Sequence, residues 1–137
     1  MNTKSLFISH SWRYNNEYEG LIDLLNGRGY FVFKDYSVPK DDPIRILSER
    51  AYEQKLKEGI TNQMRFCDVV ILIAGKYVTY SDSIQMELEI AKQMGKPILA
   101  IRPYGAAQTT SLAEIYADEI VSWNSDSIVS AIRRLSA

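Results

Sequence analysis

Glu87 and Glu89 sit two residues apart on an amphipathic stretch, and their spacing sends them in different directions. At about 100° per residue, Ile84, Leu88, Ala91 and Met94 form a single apolar stripe. Glu87 falls inside the edge of that stripe, roughly 45° from its centre, whereas Glu89 points to solvent. The stretch follows an apolar run, Val69–Ile73, and a polar loop, Lys76–Ser83. A carboxylate leaning toward a sheet, just beyond the C-terminal end of a strand, sits where α/β folds keep their ligands. A purely structural reading stands beside this one: a glutamate at a stripe's edge can snorkel to water.

The neighbouring residue types narrow the chemistry by exclusion. There is no GxGxxG or Walker-type glycine loop, so no phosphate cradle is signalled. No GxSxG elbow occurs. His10 lies beside Ser9 and Ser11, but the arrangement is too local and lacks an orienting acid, which argues against a serine hydrolase. The two serines can equally cap the helix that follows. A phospho-receiver wants an acidic pair after the first strand, where this chain has Ser9-His10-Ser11. One histidine and one cysteine do not supply a zinc site. Cys67 reads as a small buried residue, Lys76, Lys92 and Lys96 as solvated, and Asp35, Asp41 and Asp42 as turn formers.

The elements that must position Glu87 alternate regularly. Ser5–Ser9 is a short apolar strand, and Asn15 or Asn16 caps a helix running to about Asn26 with the stripe Tyr18, Leu21, Ile22 and Leu25. Tyr30–Phe33 is the second strand. Lys34–Pro43, with two prolines and three aspartates, is a long loop of the functional or mobile kind. A helical pattern spans Ile44 to about Phe66, weaker over Ile44–Tyr52, with Leu56, Ile60 and Met64 facing the core. Val69–Ile73 is a fully buried strand. The helix carrying Glu87 runs from about Ser83 to Met94 and stops at Gly95 and Pro97. Ile98–Ile101 is the next strand, Ser111–Tyr116 a short helix, Glu119–Ser122 the fifth strand. Asn124 or Ser125 caps a last helix with the stripe Ile128, Ile132 and Leu135.

Five strand–helix alternations predict an α/β fold, a parallel sheet covered on both faces, in the flavodoxin-like order 2-1-3-4-5. The crevice at the order reversal is then lined by Ser9, His10 and Ser11 after the first strand and Ala74, Gly75 and Lys76 after the third. Lys34 and Asp35 lie on the same rim. At 137 residues the chain reads as one domain, 1–137. A hydrophobic content of 46% and a charged content of 24% fit a globular protein. A net charge of −1 gives no electrostatic case for nucleic acid. No apolar run approaches the ~18 residues of a membrane span, and the apolar part of MNTKSLFISH is too short for a signal peptide. A single cysteine excludes an internal disulfide and fits a reducing cytoplasm.

Several stretches resemble the bacterial TIR-like domain family, whose members include the TIR-type sensor proteins of Thoeris anti-phage systems. They are FISHSW (Phe7–Trp12), YFVFKDYSVPKDDPI (Tyr30–Ile44), CDVVILIAGKY (Cys67–Tyr77), ELEIAKQMGKPILAIRPYG (Glu87–Gly105) and ADEIVSWNSDSIVSAIR (Ala117–Arg133). They cover nearly the whole chain in the family's order. The resemblance implies a three-layer α/β/α fold. In catalytic TIR domains a glutamate on the helix after the third strand carries the chemistry. It has an aromatic four residues before it, an apolar residue after it, a small residue four after it and Gly-Lys at the helix end. Glu87, Leu88, Ala91, Gly95 and Lys96 match. Ser83 stands where tryptophan is common, and Tyr77 or Tyr80 can supply the aromatic wall. Phe7, Ser9, His10, Ser11, Asp35, Ala74 and Gly75 match the remaining sides of a nucleotide cleft.

The activity so implied is cleavage of the bond between nicotinamide and ribose in NAD, which enters as substrate, with no cofactor. The partners implied are NAD and either self-assembly through the Lys34–Pro43 loop or another defence protein, with no nucleic acid and no membrane. Two other readings remain: a non-catalytic TIR-like adaptor or sensor that binds protein, and a flavodoxin-like mononucleotide binder. The latter lacks a Ser/Thr/Gly-rich phosphate loop after the first strand.

Overall fold

Every side chain of the run Val69–Ile73 is buried, a pattern that suits a strand covered on both faces. In the computed structural model this run is the middle strand of a five-stranded sheet. The structure describes residues 3–9, 16–36, 49–74, 82–103 and 111–136. The element order is β1 (Lys4–Ser9), α1 (Asn16–Arg28), β2 (Phe33–Asp35), α2 (Glu49–Met64), β3 (Val69–Ile73), α3 (Asp82–Gln93), β4 (Ile98–Ile101), α4 (Ser111–Tyr116), β5 (Glu119–Val121) and α5 (Ser125–Leu135). Sheet order is β2-β1-β3-β4-β5 with all neighbouring pairs parallel, as the alternation predicts.

The pleat divides the core into two layers. Phe7, Val70, Leu72, Ile98 and Ala100 cluster with Ile60 and Met64 of α2 and with Ile84, Leu88 and Ala91 of α3. Leu6, Ile8, Val69, Ile71, Leu99 and Ile101 cluster with Leu21 and Leu25 of α1 and with Ile128 and Ile132 of α5. Each fully buried Leu or Ile contributes roughly 1.5–3 kcal/mol, so both layers hold the sheet in place. α5 begins as its sequence dictates: Asn124 Oδ1 accepts from the Ser127 N–H at 3.0 Å.

Two aspartates pin the strand registers. Asp68, just before β3, accepts from the Ser5 N–H at 2.8 Å while its own N–H donates to the Ser5 carbonyl at 2.6 Å. Asp118, just before β5, treats Ile98 in the same way, at 2.8 Å in both directions. Each aspartate thereby clasps the neighbouring strand at both of one residue's backbone groups.

Some boundaries differ from the pattern-based expectation. α1 passes through Gly27 to Arg28 because the chain turns only at Gly29 and Tyr30, with φ of +79° and +56°. Two consecutive left-handed residues cannot continue into a strand, so β2 starts at Phe33 rather than Tyr30. Tyr30 stays 84% exposed while Phe31 is buried. Arg133 Nη2 stabilises the turn by donating to the Tyr30 carbonyl at 2.8 Å. Lys34 and Asp35 consequently belong to the strand, and residues 37–43 of the expected loop lie outside the described residues.

α2 starts at Glu49 and stops at Met64, short of Phe66, where the Cys67 N–H turns back to the Met64 carbonyl at 3.0 Å. Phe66 is left exposed, stacked on Tyr36 with ring centroids 5.9 Å apart. Residues 44–48 are outside the described set. β5 ends at Val121, and Ser122 Oγ instead accepts from Arg102 Nη2 at 2.8 Å. Lys96 is half-buried and bonded to the protein rather than freely solvated. Its Nζ donates to the carbonyls of Cys67 at 2.9 Å and Arg65 at 3.2 Å, in the turn that follows α2. Lys92 pairs with Asp118 at 3.5 Å. No helix among the described residues is long and apolar enough to cross a membrane.

α3 closes in a Schellman turn. The Lys96 N–H bonds the Ala91 carbonyl at 2.9 Å, the Gly95 N–H bonds the Lys92 carbonyl at 3.1 Å, and Gly95 takes φ +70°. A Cβ at Gly95 would meet no atom within 4 Å, so only the backbone resists a side chain there. Gly95→Ala is expected to lower stability by about 1 kcal/mol. The measurement is a urea titration, with a lower midpoint at unchanged slope.

Candidate functional site

The sheet reverses its order at β1, whose neighbours β2 and β3 lie on either side. Open α/β sheets hold ligands at such a point, beyond the C-terminal ends of the strands. β1 ends there in Ser9, in register with Leu72 of β3. Alternation puts Ser9 on the face of Phe7, the face that α3 covers. α3 seats itself through Ile84, Leu88 and Ala91, none of which retains exposed surface. Glu87, between Ile84 and Leu88, is carried in with them and is 8% exposed; Ser9 is 0% exposed. They are the buried polar side chains among the described residues.

Neither Ser9 Oγ nor Glu87 Oε2 has a hydrogen-bond partner among the described residues. The Ser9 hydroxyl lies near enough to favour a charged Glu87, but the two do not close to hydrogen-bond geometry. Burial dominates and pushes Glu87 up to about 8, far above the ordinary carboxylate range. At neutral pH the folded protein holds this carboxyl mostly protonated. Glu89 lies in another environment: it is exposed and accepts from Gln85 Nε2 and the Tyr116 hydroxyl, each at 3.3 Å.

Phe7 and Ala74 belong to the apolar cluster on the same face as Ser9 and Glu87, and both are buried. Asp35 is separated from them by the sheet. It is in register with Leu6, which faces α1, and it accepts from the Tyr18 hydroxyl. Burial first, then Asp35, push the Tyr18 phenol above its ordinary range. Spacing does not reveal this contact, because Tyr18 reads as a member of the α1 stripe and only its polar tip hints at a partner. Ser83 lies in the first turn of α3. His10, Ser11, Gly75 and Tyr77 are outside the described residues, as is Tyr80. Burial pushes the Cys67 thiol up to about 11, which suits packing and not nucleophilic attack. No group of three or more His, Cys, Asp or Glu among the described residues could hold a metal ion.

A parallel 2-1-3-4-5 sheet with helices around it makes this an α/β domain of flavodoxin-like topology, the topology a TIR-like domain shares. The family model described as Thoeris protein ThsB, TIR-like domain, matches residues 7–108, and the chain belongs to that family. The matched span begins within β1, runs past β4 and contains Ser9 and Glu87. No curated protein matches the chain.

The raised Glu87 sets a pH dependence of stability. The folded state keeps its proton up to about pH 8, whereas the unfolded chain releases it near 4.5. The unfolded state therefore binds fewer protons between these values, and stability falls as pH rises through that window. Glu87→Gln removes this slope. Relative to wild type, the variant should gain stability from pH 4.5 to 8, by roughly 5 kcal/mol at most. Melting temperatures of both proteins across that range check the sign.

Proposed function

We propose that this chain cleaves NAD at the bond between nicotinamide and ribose, with Glu87 as the catalytic carboxylate, in anti-phage defence. The observation that carries the reading is a buried carboxyl with an unpartnered oxygen at the sheet's order reversal, inside the span matched by the Thoeris family. Nicotinamide is bound to ribose as a cation, so it can leave without a general acid. The C1′–N bond breaks, its electron pair goes to the nicotinamide nitrogen, and an oxocarbenium-like ribose remains. A carboxylate beside that ribose stabilises the developing charge electrostatically.

Glu87 must be ionised for this, and an entering pyridinium cation favours ionisation, as any nearby positive charge does. The ribosyl cation is then captured by water, giving ADP-ribose and a proton, or by an atom of the same nucleotide, giving a cyclic isomer. Positioning decides between the two, and we assign the second outcome, a cyclic ADP-ribose-type signal. The reading includes a cytoplasmic location and assembly with itself or another defence protein.

Glu87→Gln should reduce nicotinamide release by on the order of 10²–10³-fold or more while the fold survives, with nicotinamide measured by chromatography after incubation with NAD. Wild-type protein that never consumes NAD, alone or with phage-infected cell extract, would sink the proposal. Ser83, at a position where catalytic relatives commonly carry tryptophan, favours a second reading, a non-catalytic adaptor. An adaptor would bind its partner equally well with Glu87→Gln.

A further inference from the structure

Ser9 and Glu87 share a property found at no other side chain among the described residues: each is at least nine-tenths buried and carries an oxygen with no partner. A buried hydroxyl without a partner is destabilising, and alanine would fill the Ser9 position on an otherwise apolar face. Two such atoms close together on one face are the halves of one interaction.

We propose that Ser9 is a positioning residue: its hydroxyl donates to Glu87 Oε2 once the carboxyl ionises and holds the carboxylate in one orientation. The inference rests on the assignment of Glu87 under the function proposed above. A protonated carboxyl has a donor of its own, whereas a carboxylate only accepts. The hydroxyl hydrogen of serine rotates without moving the backbone, so the bond can form as the proton leaves for solvent. Oε2 is then committed to Ser9, and Oε1 is left for the ligand.

The charged side chains around α3 whose placement is described are directed away from Glu87. On α2, Lys57 and Glu58 are exposed. On α4, Glu114 is exposed and the Tyr116 hydroxyl is directed to Glu89. On α3 itself, Glu89 is exposed and Lys92 pairs with Asp118. On β1, Lys4 alternates with Leu6 and Ile8 onto the opposite face, while β3 and β4 are apolar throughout. Ser9 is the described group whose nearness favours the ionised form.

The test is a carboxyl ¹³C titration of the whole chain by NMR, with the Glu87 signal identified by its loss in Glu87→Gln. Ser9→Ala is expected to raise the Glu87 midpoint by about one unit, the size of one charge-assisted hydrogen bond. Ser9→Cys keeps a weak donor of similar size and should raise it less, and it serves if the alanine variant does not fold. In the same variants kcat for nicotinamide release at neutral pH should fall about tenfold, matching the one-unit shift, with KM little changed. A midpoint unmoved in both variants overturns the role of Ser9, whether or not NAD is cleaved. A midpoint that moves in a protein that releases no nicotinamide supports the contact and removes the reaction.

Discussion

The exclusion of water from both faces of β3 is the constraint on which this molecule depends. A strand with no solvent side needs a helical layer above and another below, and its backbone groups need a parallel neighbour on each edge. β1 and β4 supply the edges. α2, α3 and α4 cover one face and α1 and α5 the other. Once β1 must sit beside β3 and also beside β2, the order reversal follows, and such a reversal is where open α/β sheets hold ligands. The candidate site is a by-product of burying Val69–Ile73.

Glu87 is expensive to keep in that arrangement. Moving its titration from the ordinary range to about 8 corresponds to roughly 5 kcal/mol against the charged form. A single hydrogen bond to a charged group is worth about 1.5–3 kcal/mol, so Ser9 cannot offset burial by itself. Below about pH 8 a nearby positive charge would further favour the ionised form. No cation is named among the causes of its shift, so its charge state follows the pH and any charge brought near it.

Much of this was legible in the residues because the strongest signals are periodic. Val69–Ile73, Ile98–Ile101 and Ser111–Tyr116 fall where the apolar pattern puts them. The Ile84–Leu88–Ala91 stripe separates Glu87 from Glu89 by angle alone, and burial separates them in the same sense. What was not legible came from backbone geometry and long-range polar contacts. Nothing in the string Gly29-Tyr30 announces that a tyrosine takes a positive φ, so the start of β2 was displaced by three residues, from Tyr30 to Phe33. Lys96 looks like any surface lysine until the Schellman turn brings it to the carbonyls of Arg65 and Cys67. Asp35 follows an aromatic strand as a rim residue would, and only the pleat places it on the α1 face beside Tyr18.

The Asp68 clasp on Ser5 lies at the opposite end of β1 from Ser9. A strand is stiff, and its side chains alternate strictly, so an error of one residue in pairing at the floor arrives undiminished at the rim. With β1 displaced by one place, its side chains would exchange faces, and Ser9 would be presented to α1 in place of α3. Asp68 therefore acts as an alignment pin for a contact it never touches. Which helix the last side chain of β1 meets is thus decided in part by a carboxylate at the far side of the sheet.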